Sequence, residues 1–185
     1  MPLIACDCAK RFVRSTTKIS PANLRVLIAY YSRTGNTEKI SNAVKQAFES
    51  NCEVDVLKIE MVREYSDILP HLNPRVLFDT FLNRKPRIRS LKDMGPYDVI
   101  CVGTPNWYGR IAPPVSTFIE EMTNAEGKKT IAFVSSGLGR ESYAKAFKSM
   151  LEKKSLKVVK TLSLILGEIS ESQLTEIVET ATTVN

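Results

Sequence analysis

The chain has 185 residues, 43% of them hydrophobic and 25% charged, with a net charge of +6. This length buries one good core and is short for two domains, and the composition is ordinary for a globular protein. No apolar run approaches the length of a membrane span, and the basic balance points to anionic partners.

Residues 1–22 read as an N-terminal extension ahead of a single domain, residues 23–185. Lys10, Arg11, Arg14 and Lys18 are basic there, Asp7 is the one acid and Pro21 closes the segment. Cys6 and Cys8 have the spacing of a chelating or redox pair, but two ligands do not make a metal site. The cysteines Cys6, Cys8, Cys52 and Cys101 show no framework spacing. With no signal peptide in view, reduced thiols in a cytoplasm are expected.

Residues 24–31 are an apolar run short enough for a buried strand. Ser32, Arg33, Thr34, Gly35, Asn36 and Thr37 break it; all but Arg33 are small or good turn formers. Ile40, Ala43, Val44, Ala47 and Phe48 then fall at helical spacing. Residues 53–59 alternate into a second strand. Residues 60–92 are longer than one helix needs, and Pro70 and Pro74 interrupt helical spacing. Asn73 and Pro74 read as an N-cap and a first helical position, followed by a stripe of Val76, Leu77, Thr80 and Phe81. Residues 84–92 hold five basic side chains and no acid. No aromatic residue is interleaved there, which argues against single-stranded nucleic acid. His71, the lone histidine, reads as structural beside its prolines.

Residues 98–103 form a third strand that runs into Thr104, Pro105, Asn106, Trp107, Tyr108 and Gly109. A helix follows with Val115, Phe118, Ile119 and Met122 on one face. Residues 129–135 are a fourth strand, ending in Ser135, Ser136, Gly137, Leu138 and Gly139. Another helix carries Tyr143, Phe147, Met150 and Leu151. Residues 156–166 hold the fifth strand, and Leu174, Ile177, Val178 and Ala181 mark the last helix. This alternation predicts an α/β fold: a doubly wound five-stranded parallel sheet with right-handed crossovers. In the order 2-1-3-4-5 the ligand lies at the carboxyl ends of the strands, at the switch point between strands 1 and 3. The loops after strands 1, 3 and 4 then open on one edge as a composite site.

The first loop suits a phosphate. The first N–H groups of a helix have no intrahelical partner, and the helix dipole favours an anion there. Ser32, Thr34 and Thr37 add hydroxyls, Asn36 adds an amide, and Gly35 supplies positive φ or room for close approach. The loop lacks the lysine-bearing nucleoside-triphosphate pattern and the Gly-x-Gly-x-x-Gly pattern, so a monophosphate fits better than a triphosphate. In the second loop, Trp107 and Tyr108 are an aromatic pair costly to leave in water. They suit a wall against a flat ring, where stacking adds about 0.5–1.5 kcal/mol beyond burial; the bland alternative packs Trp107 under its own loop. The glycines of the third loop let backbone N–H groups approach a polar ring edge.

The run from Ser32 to Thr37 resembles the flavodoxin-family loop Ser/Thr-x-Thr-Gly-Asn-Thr, and the likeness extends from about Leu24 to the C-terminus. The stretch Gly103, Thr104, Pro105, Trp107 and Gly109 resembles the family's second flavin loop. The resemblance implies an FMN-binding domain, the phosphate held by residues 32–37 and the isoalloxazine flanked by residues 104–109 and 135–139. It implies no protein nucleophile and no metal. Flavodoxins acting purely as carriers are typically acidic, so the +6 charge is a departure. The resemblance leaves two roles open: a carrier between redox partner proteins, or an oxidoreductase that uses NAD(P)H and a small acceptor such as a quinone. A homo-oligomer stays open as well. A different class, a non-redox module holding another phosphate ligand or a partner on the same fold, is the alternative. Nucleic-acid binding through residues 84–92 would rest on charge alone.

Overall fold

The computed structural model describes residues 24–65, 73–89 and 93–183. The expected extension with Cys6 and Cys8, His71, and the last three residues of the basic run lie outside these.

Strand β1 (Arg25–Tyr30) is buried on both faces over all but its first residue, as its continuous apolar sequence requires. Helix α1 (Asn36–Glu49) follows and buries Ile40, Val44 and Phe48. Strand β2 (Glu53–Lys58) is half-exposed, which explains its alternating pattern. Then come α2 (Pro74–Phe81), β3 (Val99–Trp107), β4 (Arg110–Ile111), α3 (Pro113–Glu121), β5 (Lys129–Ser136), α4 (Glu141–Glu152), β6 (Lys157–Ile165) and α5 (Glu171–Thr182). The parallel strands lie in the order β2-β1-β3-β5-β6, with β4 paired to β3. Without β4 this is the predicted 2-1-3-4-5 order.

The sheet divides the core into two layers, because successive side chains of a strand face opposite ways. Leu27, Ala29, Ile100 and Val102 meet Val115 and Phe118 of α3, Phe147 and Leu151 of α4, and Val76 of α2. Val26, Ile28, Cys101 and Phe133 meet α1 and Ile177 and Ala181 of α5. Cys101 acts as a small hydrophobe there, and burial pushes its thiol pKa far up.

Two local expectations change. β3 runs four residues beyond 103 and turns back as a hairpin, with Asn106 opposite Ile111 and Trp107 opposite Arg110. The second loop is therefore a strand end and tight turn rather than open coil. On α2 the N-cap holds as predicted, Asn73 Oδ1 accepting from Arg75 N at 3.0 Å. Its buried face, however, is Val76, Asp79 and Thr80, while Phe81 is exposed. Asp79 tolerates burial because the Tyr65 hydroxyl donates to it at 3.1 Å and Arg75 Nε lies 3.7 Å away. Part of the basic run is tied down by backbone, Val62 N donating to Arg87 O at 2.9 Å and Arg89 N to Glu60 O at 2.8 Å. Among the described residues no helix is long and apolar enough to cross a membrane.

Candidate functional site

Strand register brings the predicted loops together. Tyr30 is opposite Gly103 between β1 and β3, and Pro105 is opposite Ser135 between β3 and β5. Residues 32–37, 104–109 and 135–139 thus leave adjacent strand ends on one edge. Tyr31 N donates to Gly103 O at 3.2 Å, pinning the first loop to the second.

The first loop is built around Gly35, which N-caps α1 at φ 86° with no side-chain cap. The N–H groups of the first turn are therefore left for another acceptor. Ser32 Oγ and Thr37 Oγ1 are buried and have no hydrogen-bond partner among the described residues. A buried unpaired hydroxyl is destabilising, so two of them at one uncapped helix start mark a place prepared for an acceptor. Thr34 is exposed, and Arg33 lies over the Tyr65 ring at 5.8 Å.

In the second loop Asn106 Oδ1 accepts from Gly109 N at 3.0 Å, while its buried Nδ2 has no partner among the described residues. Thr104 Oγ1 accepts from Ala112 N at 3.3 Å and donates to Pro105 O at 2.9 Å, fixing the hairpin. The aromatic pair is split. Trp107 is half-buried, edge-on to Tyr31 and Tyr65 with centroids 5.6 Å apart in both cases. Tyr108 stays 40% exposed, 6.0 Å from Phe81. Trp107 thus packs against aromatic side chains from outside its own loop. In the third loop Ser135 and Ser136 are buried and Gly137 and Leu138 exposed, with Gly139 N donating to Ser136 Oγ at 2.8 Å.

Two features escaped the sequence reading. The aromatic cluster needs Tyr65, in a segment without periodicity. The loop after β6 packs behind the first loop, where a Cβ on Gly167 would come 2.8 Å from Asn36 O. A cleft of about 620 Å³ opens beside the first loop, with Ser32 and Arg33 on one side and Lys58, Glu60 and Glu64 on the other.

Electrostatics hold this edge. The Tyr30 hydroxyl donates to Glu38 Oε1 at 3.0 Å, and Lys58 Nζ lies 3.2 Å from the same oxygen. Burial, then the hydrogen bond to Glu38, push Tyr30 up to about 12, while the bonds from Tyr30 and Lys58 hold Glu38 below the usual carboxylate range. The neutral phenol is favoured by folding, so its contribution is full below 10.0 and is lost as pH climbs toward about 12. Melting curves of Tyr30→Phe should therefore fall less steeply than those of the parent across that window. An equal slope would remove Tyr30 from the account. Glu38 works in the other direction: its contribution is present above the ordinary carboxylate pKa and fades as pH drops through its lowered value.

The flavodoxin family model matches residues 25–181. The chain belongs to the flavodoxin family. Among curated proteins it is 29% identical over 99 residues to an NAD(P)H dehydrogenase (quinone) of Rhodopseudomonas palustris (strain TIE-1), covering 52% of this chain and 46% of that one. A protein of the same description from Paraburkholderia phymatum is 32% identical over 99 residues, with the same coverage. The chain thus spans about half the length of these relatives. Among solved structures, a Bacteroides eggerthii DSM 20697 protein matches at TM-score 0.67 and 24% identity, over 87% of this chain and 99% of that one. A flavoprotein in complex with FMN from Lactobacillus acidophilus NCFM matches at TM-score 0.60 and 24% identity, over 74% and 91%. At these identities the structures establish the fold.

Proposed function

We propose that the chain is an FMN-dependent redox protein. The observation that carries this reading is the pair of unpartnered buried hydroxyls, Ser32 Oγ and Thr37 Oγ1, at the uncapped start of α1. That donor set fits the phosphate monoester of FMN, since anions are stabilised at helix N-termini and charge-assisted hydrogen bonds are the strong ones. Ser32, Arg33, Thr34, Gly35, Asn36 and Thr37 would hold the phosphate. Residues 104–109 and 135–139 would flank the ring, with the spare Asn106 Nδ2 as a donor and Trp107 as a rigid support. When bound, the flavin supplies the electron-transfer chemistry. The chain's own contribution is to bind it, orient it and shield one side from water through the Tyr31, Tyr65 and Trp107 cluster.

The curated relatives, matched over about half their length, support NAD(P)H as donor and a quinone as acceptor. A carrier role between proteins is supported by a different observation: Leu138, Ile165 and Leu166 stand 50–63% exposed beside the third loop. Exposed apolar side chains at one edge mark interaction surfaces.

The visible spectrum of the purified protein, with the cofactor identified after heat release, is the test of the flavin. FMN bound and released is the expected result. A colourless protein that also fails to bind added FMN would sink the proposal and leave a non-redox phosphate module. Steady-state NAD(P)H oxidation with a quinone separates the two roles: multiple turnovers mean an enzyme, and none means a carrier.

A further inference from the structure

We infer that the cleft enclosed by α2, α3 and the end of α4 is a second ligand site, for a small amphipathic anion. The cleft measures about 340 Å³, within the roughly 300–1,000 Å³ of small-molecule sites. It shares no lining residue with the phosphate loop, so this inference stands apart from the flavin assignment.

The floor is apolar, formed by Ile111, Pro113, Ile119 and Met150. The rim is cationic, with Arg84, Lys85, Lys153 and Lys154. The carboxylates on it are accounted for. Glu120 Oε2 takes Lys85 Nζ at 2.5 Å, and its backbone oxygen takes Lys154 Nζ at 2.6 Å. Asp79 turns to Tyr65 and Arg75. Among the described residues Arg84 and Lys153 have no ion-pair or side-chain hydrogen-bond partner. Thr80, in the same wall, is 2% exposed, and its Oγ1 has no partner either.

These features select a ligand class. A bare inorganic anion would leave the apolar floor wet, and a neutral hydrocarbon would leave the buried Thr80 hydroxyl unsatisfied and make no use of the two cations at the rim. A flat or short aliphatic body with one anionic head satisfies both, the body on Ile119 and Met150 and the head toward Arg84 and Lys153. Walls from three helices suit a compact molecule better than a peptide segment. The cleft also adjoins the second loop: Ile111 pairs with Asn106, and the Arg110 guanidinium sits 5.6 Å over the Phe81 ring of α2.

Calorimetric titration of the purified protein in saturating FMN tests this with two probes of equal size, naphthalene-2-sulfonate and the uncharged naphthalene-2-sulfonamide. The sulfonate should bind at one per chain and about tenfold or more tighter than the sulfonamide, the order of one good charge contact. R84A/K153A should abolish that preference while leaving the melting temperature unchanged, since both side chains sit on the surface. Equal affinity for the two probes, a preference retained in R84A/K153A, displacement of FMN by the sulfonate, or no saturable binding would each overturn the site. Because the titration reads heat rather than turnover, its failure is separable from failure of the flavin assignment.

Discussion

The S32A/T37V variant will lose about two to four orders of magnitude in FMN affinity, and its apoprotein will melt no lower than the parent. Both halves follow from one fact: Ser32 Oγ and Thr37 Oγ1 are buried with no hydrogen-bond partner among the described residues. A hydrogen bond to a charged group contributes about 1.5–3 kcal/mol. Two lost together amount to about 3–6 kcal/mol, and about 1.4 kcal/mol is tenfold in affinity. Structural hydroxyls would behave differently, since removing them would strand a partner and lower stability. Among the described residues there is no partner to strand, and Thr37→Val keeps the shape of a side chain only 1% exposed. Adding Thr34→Ala should have a smaller effect, because Thr34 is exposed and water competes for it. Quenching of FMN fluorescence gives the affinity, and thermal melting of the apoprotein gives the stability. Full affinity in S32A/T37V would detach the phosphate from this loop.

What could be read from the sequence was what short-range physics decides. The central strands are buried on both faces, so β1, β3 and β5 are continuous apolar runs that need no context to recognise. β2 is an edge strand and shows the alternation of one. The first loop was legible because a strand, a glycine at positive φ and a helix start follow within a few residues of one another. The remainder depends on pairs far apart in the chain. Met61 bridges Ile88, and Trp107 needs both Tyr31 and Tyr65. No periodicity in residues 60–92 announces these contacts. The buried face of α2 departs from the expected stripe for the same reason. Asp79 is buried because Tyr65 and Arg75 come to it, and Phe81, 51% exposed, finds its partners Tyr108 and Arg110 at the surface instead of in the core.

The brace behind the phosphate loop is the sharpest of these long-range contacts, and a matched pair of variants isolates it. Gly35 and Gly167 both have φ 86°. An alanine at either position bears the same left-handed strain, about 1–2 kcal/mol. They differ in the space around them. A Cβ at Gly35 meets nothing within 4 Å, whereas one at Gly167 meets Asn36 O at 2.8 Å and Asn36 Cα at 3.1 Å. Those are backbone atoms of the first residue of α1 and cannot rotate away. G167A should therefore be destabilised beyond G35A by a further 1–3 kcal/mol or so, the usual cost of overpacking, as read from urea denaturation of the apoproteins. Relief requires the loop after β6 to lift or the start of α1 to shift. The second route moves the N–H groups proposed to face the phosphate, so G167A should also weaken FMN binding from outside the predicted site residues. If G167A proves no less stable than G35A and binds FMN as the parent does, then the loop after β6 yields freely, and the phosphate loop holds its shape through Gly35 and the β1–β3 pairing alone.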